Sequence, residues 1–283
     1  MKFSQQDATR ADYWRRTAFT PEQWQTLATH TAERGLLFLS SPFSILAADM
    51  LAKIGVSAWK VASGEINNKP LIDRIASDRL PVLMSTGMSG WTEIENAVDW
   101  VRLKSAPVGL FQCCSKYPCP PEEVGLNVIG ELRSHFNCPA GLSDHSGTVF
   151  APIAAAALGL DMLEVHVTMS RYMFGPDVAA SLTIDELKQT IEGIRFVEKA
   201  MEHRVDKDAV EVRMAEMRRL FNKSVVARRA LPAGAVLTAD DLDTKKPGDG
   251  IPAARLADVV GKTLRCAVAR DEALSPANVE GFI

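Results

Sequence analysis

Short apolar runs alternate with amphipathic stretches through the first two-thirds of the chain. The runs are Leu36-Leu37-Phe38-Leu39, Trp59-Lys60-Val61-Ala62, Pro81-Val82-Leu83-Met84, Val108-Gly109-Leu110-Phe111-Gln112-Cys113, Ala140-Gly141-Leu142-Ser143 and Met162-Leu163-Glu164-Val165-His166. Each is four to six residues long, which predicts strands rather than helices. The second and the last carry polar residues inside the run, so one face of those strands is expected to look toward a polar site.

Helices with definable ends fill the gaps. Thr20-Pro21-Glu22-Gln23 combines an N-cap Thr, a Pro at the first helical position and a capping-box Gln, and Gly35 supplies the stop. Leu46, Met50 and Ile54 recur every fourth residue and end at Gly55, predicting a second amphipathic helix. Pro70 opens a third, and Ile94, Ala97 and Val101 line a fourth. Thr183 and Glu186 form another capping box, with Leu187, Ile191 and Ile194 on one face of the helix that follows.

Strand–helix alternation at this spacing predicts βαβ units and a parallel α/β sheet, with six strands before residue 170. A doubly wound sheet is one possibility, but no GxGxxG turn follows the first strand. Polar residues instead gather at the C-terminal ends of nearly every strand, the pattern of a TIM (β/α)8-type barrel. Six strands fall two short of eight, so the expected domain is such a barrel lacking its first two βα units.

The pattern changes after Met201. Residues 1–201 are assigned to the barrel, the charge-rich stretch 202–222 to a linker, and 223–283 to a small β-rich domain. That domain has β-like pieces at Ser224-Val225-Val226-Ala227, Ala235-Val236-Leu237-Thr238 and Thr263–Val268. At about 60 residues it is near the lower limit for independent folding, which predicts support from a partner surface.

Composition narrows the function classes. With 47% apolar and 24% charged residues the chain can bury a core, which excludes disorder. The 32 Lys and Arg against 35 Asp and Glu leave a net charge of −3, so a strongly basic nucleic-acid binder is excluded. No apolar run approaches the ~20 residues of a membrane span, and no apolar signal core opens the chain. Five cysteines, Cys113, Cys114, Cys119, Cys138 and Cys266, form no CxxC pair. They predict free thiols in a reducing, cytoplasmic setting rather than a disulfide or zinc framework.

The strand ends supply candidate chemistry. Lys60, Ser63, Ser85, Ser115 and Ser143 combine one cation with several hydroxyl donors, a set that suits a phosphate or carboxylate. Each Ser taken singly can equally be a helix cap. His145 and His166 end successive strands beside Asp144 and Glu164, so two imidazoles can converge on a labile divalent ion of the Mn2+ or Mg2+ type. A structural zinc would want four ligands. Asp177, after Phe174-Gly175-Pro176, is either a loop residue over the same mouth or an exposed turn residue.

The segments SSPFS, WKVASGEINNKPLI, LMSTGMS, CSKYPCP, GLSDHSG, LEVHVT and FGPD resemble the sialic acid synthase (N-acetylneuraminate synthase) family. SVVARRALPAGAVLTADDL and KKPGDGIPAARLADVVGKTL resemble that family's C-terminal SAF, or antifreeze-like, domain. The resemblance runs in order from about Ala18 to the end. It implies a TIM barrel that condenses phosphoenolpyruvate with N-acetylmannosamine or a related 2,4-diacetamido sugar. It also implies a divalent metal, usually Mn2+ with Mg2+ or Co2+ as substitutes, and a domain-swapped homodimer. Position by position, it assigns His145 and His166 to the metal. Lys60, Ser63, Ser85, Ser115 and Ser143 go to phosphoenolpyruvate, and Tyr117, Glu164 and Asp177 to the sugar and its proton transfers.

Two positions depart from the family pattern. Where the small domain usually has an Arg before Pro-Gly that reaches the partner's sugar, this chain has Lys246, which keeps the charge but loses the planar fork. The family also begins with two further βα units carrying an acidic residue and a lysine of the site, whereas Met1-Lys2-Phe3 already leads toward the third strand; Lys2 is not assigned to that lysine. The alternative reading is a truncated, catalytically inactive barrel that keeps metal and anion sites. A related phosphoenolpyruvate-dependent synthase acting on another sugar fits less well, because the small domain resembles the sialic acid branch.

Overall fold

The computed structural model describes residues 6–282; Lys2 and its neighbours lie outside the described residues. The chain divides into two compact units, Met1–His203 and Arg204–Ile283.

In the first unit, helices α1 (Arg10–Thr17) and α2 (Pro21–Glu33) precede a repeating strand–helix pattern. It runs β1 (Leu39–Ser40), α3 (Ile45–Ile54), β2 (Ala58–Val61), α4 (Lys69–Ala76), β3 (Val82–Ser85), α5 (Trp91–Leu103) and β4 (Val108–Cys113). It continues through α6 (Leu126–Phe136), β5 (Ala140–Asp144), α7 (Phe150–Ala157), β6 (Met162–Thr168), β7 (Ser181–Thr183) and α8 (Ile184–Glu202). All seven strands are parallel and lie in sequence order, β1 to β7. A doubly wound sheet reverses its order at a switch point, and this one does not. The result is a curled half-barrel, with no ladder joining β1 to β7 among the described residues.

Capping chemistry sets the helix ends as the sequence predicts. The Gln23 amide N–H donates to Thr20 Oγ1 while the Thr20 N–H donates to Gln23 Oε1. Thr183 and Glu186 exchange the same pair of bonds at the start of α8. Gly55 ends α3 in the left-handed region at φ 96°, where a side chain is strained. The core lies between sheet and helices: Trp59 and Leu110 on the strands meet Ile72, Ile75, Val98, Ile129 and Leu132 on α4 to α6. These are fully or nearly fully buried and contribute to the hydrophobic stabilisation of the unit.

Three expectations need correction. A seventh strand, Ser181–Thr183, pairs with the end of β6; three residues are too few to register as an apolar run. Leu36 and Leu37 stand before β1 and are 65% and 75% exposed, so the expected apolar run does not enter the core; Phe38, which meets Trp24 of α2, is its packed residue. The expected face of α3 is also displaced: Leu46 is exposed, and Ala48 and Leu51 make the buried contacts.

In the second unit, α9 (Lys207–Arg213) and α10 (Ala215–Phe221) occupy the charge-rich stretch. β8 (Ser224–Ala227) pairs antiparallel with β9 (Leu242–Lys245), a strand the apolar pattern does not reveal, and α11 (Leu256–Val259) follows. The expected pieces around Val236 and Thr263–Val268 form only isolated bridges, Val236 with Thr263, Leu231 with Val268 and Leu264 with Val279. This unit nonetheless has a core of its own, centred on Val225, Leu237, Val259, Leu264, Leu274 and Val279.

Candidate active site

Strand alternation aims the key side chains. In β2, Trp59 and Val61 are buried in the core while Lys60, between them, is directed to the other face. Its ammonium donates to Ser85 Oγ, the last residue of β3, at 2.7 Å, and lies 3.2 Å from Glu164 Oε1 on β6. The same carboxylate oxygen accepts from Ser143 Oγ on β5 at 2.7 Å, and Ser143 and Glu164 are register partners. Four strand ends, those of β2, β3, β5 and β6, are thus joined through one cation and one anion.

A second cluster stands beside it. His145 Nδ1 lies 2.6 Å from the Cys114 carbonyl, which can only accept, so Nδ1 carries the proton. In the neutral ring Nε2 is then a bare lone pair, and it takes the Tyr117 hydroxyl at 3.0 Å. Tyr117 stacks on His145 at 4.1 Å, and His166 stands 5.0 Å from His145 and 5.4 Å from Tyr117, centroid to centroid. His166 Nδ1 is 4.0 Å from Asp177 Oδ2.

Ionisation follows from this packing. Burial pushes the Tyr117 hydroxyl well above the usual phenol range, reinforced by the neighbouring Cys113, Asp177 and Glu164, so it stays a donor. Burial, the neighbouring His145 and Lys60 together hold His166 below the ordinary imidazole value, against the pull of Asp177 and Glu164. For His145 burial acts downward too, but the Cys113 thiol, the Cys114 carbonyl and Asp144 outweigh it and raise the ring. Burial raises Asp144, against the two bonds it accepts from Ser146.

Lys60, Ser63, Ser85, Ser115, Tyr117, Ser143, His145, Glu164 and His166 all line one cavity of ≈ 500 Å³ at the carboxyl ends of the strands. Asp177 is on the rim, half exposed beside His166. Lys246 belongs to the second unit, where its ammonium lies 4.9 Å from the Phe221 ring centroid.

Two residues that the sequence does not single out support the cavity, Cys113 as part of its lining and Gly87 behind Ser63 and Ser115. Cys113, read from sequence only as a free thiol, accepts from Ser63 Oγ at 3.6 Å and lies 3.8 Å from His145 Nδ1. Gly87 donates its N–H to Ser63 Oγ at 3.1 Å, and a Cβ there would sit 2.7 Å from Ser115 Oγ and 2.9 Å from the Cys113 carbonyl. The signal was the glycine after Ser85-Thr86, but close backbone approach is visible only in three dimensions.

The donor set can be tested against a metal. No group of three or more His, Cys, Asp or Glu side chains with ligand spacing occurs among the described residues, which rules out a closed structural site built from them. Two imidazoles fit a labile ion that takes its remaining ligands from water or substrate. His145, with Nδ1–H anchored on a backbone carbonyl and Nε2 free of a proton, has the outer-shell arrangement of a ligating histidine.

A parallel half-barrel with its polar side chains gathered at the strand ends defines an α/β protein whose ligand site lies where barrel enzymes build theirs. Residues 1–206 match the NeuB family and residues 222–280 the SAF domain. The chain belongs to the NeuB family. It is 34% identical to N,N'-diacetyllegionaminic acid synthase of Campylobacter jejuni, over 83% of this chain and 71% of that protein. It is 32% identical to N-acetylneuraminate-9-phosphate synthase of Homo sapiens, over 94% of this chain and 74% of that protein. Among solved structures, the N-acetylneuraminic acid (sialic acid) synthetase of Leptospira borgpetersenii, in complex with citrate, superposes with a TM-score of 0.65 at 31% identity. That match covers 71% of this chain and 70% of the other.

Proposed function

We propose that this protein condenses phosphoenolpyruvate with N-acetylmannosamine or a related 2,4-diacetamido sugar, giving a sialic acid-type nonulosonate and phosphate. The observation that carries this reading is the Lys60–Ser85 and Lys60–Glu164–Ser143 network beside a pair of imidazoles in one cavity. Its relatives' names as synthases support catalysis over a binding-only barrel.

Lys60 and the hydroxyls of Ser63, Ser85, Ser115 and Ser143 bind the phosphate and carboxylate of phosphoenolpyruvate, which suits one fixed cation ringed by short donors. His145 and His166 would hold a divalent ion, Mn2+ by preference, which when bound supplies Lewis-acid polarisation of the open-chain sugar aldehyde. C3 of phosphoenolpyruvate forms the new bond to the aldehyde carbon as the C2–C3 and carbonyl π bonds break, so the aldehyde oxygen takes up a proton to become a hydroxyl and positive charge develops at C2. The Glu164 carboxylate, already turned toward Lys60 and Ser143, faces that developing charge. Water adds at C2, and phosphate leaves by C–O cleavage. Glu164 or Asp177 takes the proton released by that water, and Tyr117 and Asp177 hold the sugar.

The remaining assignments accompany this reading. The half-barrel is part of a TIM-type barrel, residues 202–222 are a linker, and 223–283 are the SAF domain. That domain brings Lys246 to the sugar of a partner subunit in a domain-swapped homodimer, in the cytoplasm. Mass analysis of the product tests the reaction: a nonulosonate with one oxygen derived from labelled water is expected. Phosphoenolpyruvate recovered unchanged beside every 2-acetamido sugar would overturn it.

A further inference from the structure

Two loops at the mouth of the cavity are tied together by a residue that has no assigned role. One loop, after β5, carries His145; the other, between β6 and β7, carries Asp177. Arg171 Nη2 donates to the Gly147 carbonyl of the first loop at 2.7 Å and to Glu186 Oε2 at 2.7 Å. Glu186 is itself fixed, accepting from the Thr183 N–H at 2.7 Å and the Thr183 hydroxyl at 3.0 Å in the capping box of α8. The Thr183 amide bond and the Arg171 guanidinium hold Glu186 below the usual carboxylate range, so it stays charged.

The same loops also meet at Gly147. It has φ 66°, and a Cβ there would collide with the Ala179 carbonyl. Only a glycine permits this approach, both for its backbone angle and for its lack of a side chain. Two residues before Ala179, the Asp177 carbonyl accepts from the Ser181 hydroxyl at 2.7 Å and from the Ala180 N–H at 3.0 Å. The Asp177 segment is therefore held at both ends: by Arg171 where it leaves β6, and by Ser181 and the Gly147 contact where it reaches β7.

We infer that Arg171 is a positioning residue that braces the Asp177 segment against the His145 loop through Gly147 and Glu186, and so fixes the sugar end of the cavity. The sugar assignment rests on the function proposed above; the brace does not. The ion pair is over a third exposed, so it adds little to global stability. Its consequence is local: Asp177 stands 4.0 Å from His166 only while the segment keeps its path.

Hydrogen–deuterium exchange and steady-state kinetics on Arg171→Met and Arg171→Lys in the full chain test this. In Arg171→Met, amides of 172–180 and 147–149 exchange faster together while α5 is unchanged. KM for the acetamido sugar rises about 10- to 100-fold, the range expected for misplacement of a contact by an ångström or so. KM for phosphoenolpyruvate stays within about twofold of wild type, since Lys60 and its hydroxyl partners are untouched. Arg171→Lys restores part of both effects. Unchanged exchange in Arg171→Met would overturn the brace, and equal changes in both KM values would overturn the positioning role. If wild type turns over no sugar yet Arg171→Met loosens both loops, the catalytic reading falls and the brace stands.

Discussion

Lys60 Nζ lies 3.2 Å from Glu164 Oε1, across the mouth of the half-barrel from β2 to β6. The lysine side chain is 11% exposed and the glutamate 39%, so the pair is sheltered on the cation's side and open on the anion's. The same ammonium donates to Ser85 Oγ at 2.7 Å, so the cation and a hydroxyl donor stand together in the cavity. Lys60→Met is expected to weaken phosphoenolpyruvate binding by about 10- to 100-fold, the ~1.5–3 kcal/mol of a charge-assisted hydrogen bond. Titration calorimetry with phosphoenolpyruvate alone measures this; wild-type affinity in the variant would remove Lys60 from the anion site.

His145 Nε2 faces Tyr117 and its Nδ1–H is spent on the Cys114 carbonyl. His145→Ala is expected to abolish Mn2+ binding as followed by the spin-resonance signal of free Mn2+, with Tyr117→Phe retaining it. Unchanged Mn2+ binding in His145→Ala would exclude these imidazoles as the site.

Gly87 has room for no side chain between Ser115 Oγ and the Cys113 carbonyl. Gly87→Ala must shift backbone rather than only a flexible side-chain tip, at a cost of about 1–3 kcal/mol. Denaturant unfolding reads the loss of stability, and the displaced Ser63 and Ser115 are expected to raise KM for phosphoenolpyruvate as well. Wild-type stability together with wild-type KM would refute the close approach.

Asp241 provides a pH test in the second unit. Its carboxylate accepts from the Thr238 hydroxyl and N–H and pairs with Arg229, which together hold it below the usual carboxylate range. A lowered folded value means the stabilisation is complete above the unfolded value of about 3.9 and is lost as pH falls through the folded one. Asp241→Asn is therefore expected to cost stability near neutrality, with the difference from wild type shrinking below about pH 4. Unfolding curves across that range decide it; a difference that grows on acidification has the wrong sign.

Much of this architecture is legible in the chain because local rules and tertiary packing agree. The Thr20 and Thr183 capping boxes and the Gly55 stop need no long-range information. Polar residues at strand ends likewise expose the cavity, since alternation along a strand leaves Lys60 or Glu164 no place in the core. The failures lie where context overrides pattern. Leu36, Leu37 and Leu46 read as core but are exposed, the first two before β1 and the third in the first turn of α3. β9 is Leu-Asp-Thr-Lys, polar at three of four positions, and becomes a strand by pairing with β8. Cys113, Gly87 and Arg171 act through contacts with residues 15 or more positions away, which no periodicity reports.

Phosphate release is the most direct measure of the proposed chemistry. With Mn2+ present, phosphate is expected to appear only when phosphoenolpyruvate and a 2-acetamido sugar are supplied together, in equal amount to the nonulosonate formed. Release from phosphoenolpyruvate without sugar, or no release with any such sugar while Mn2+ and phosphoenolpyruvate both bind, would contradict a condensing enzyme.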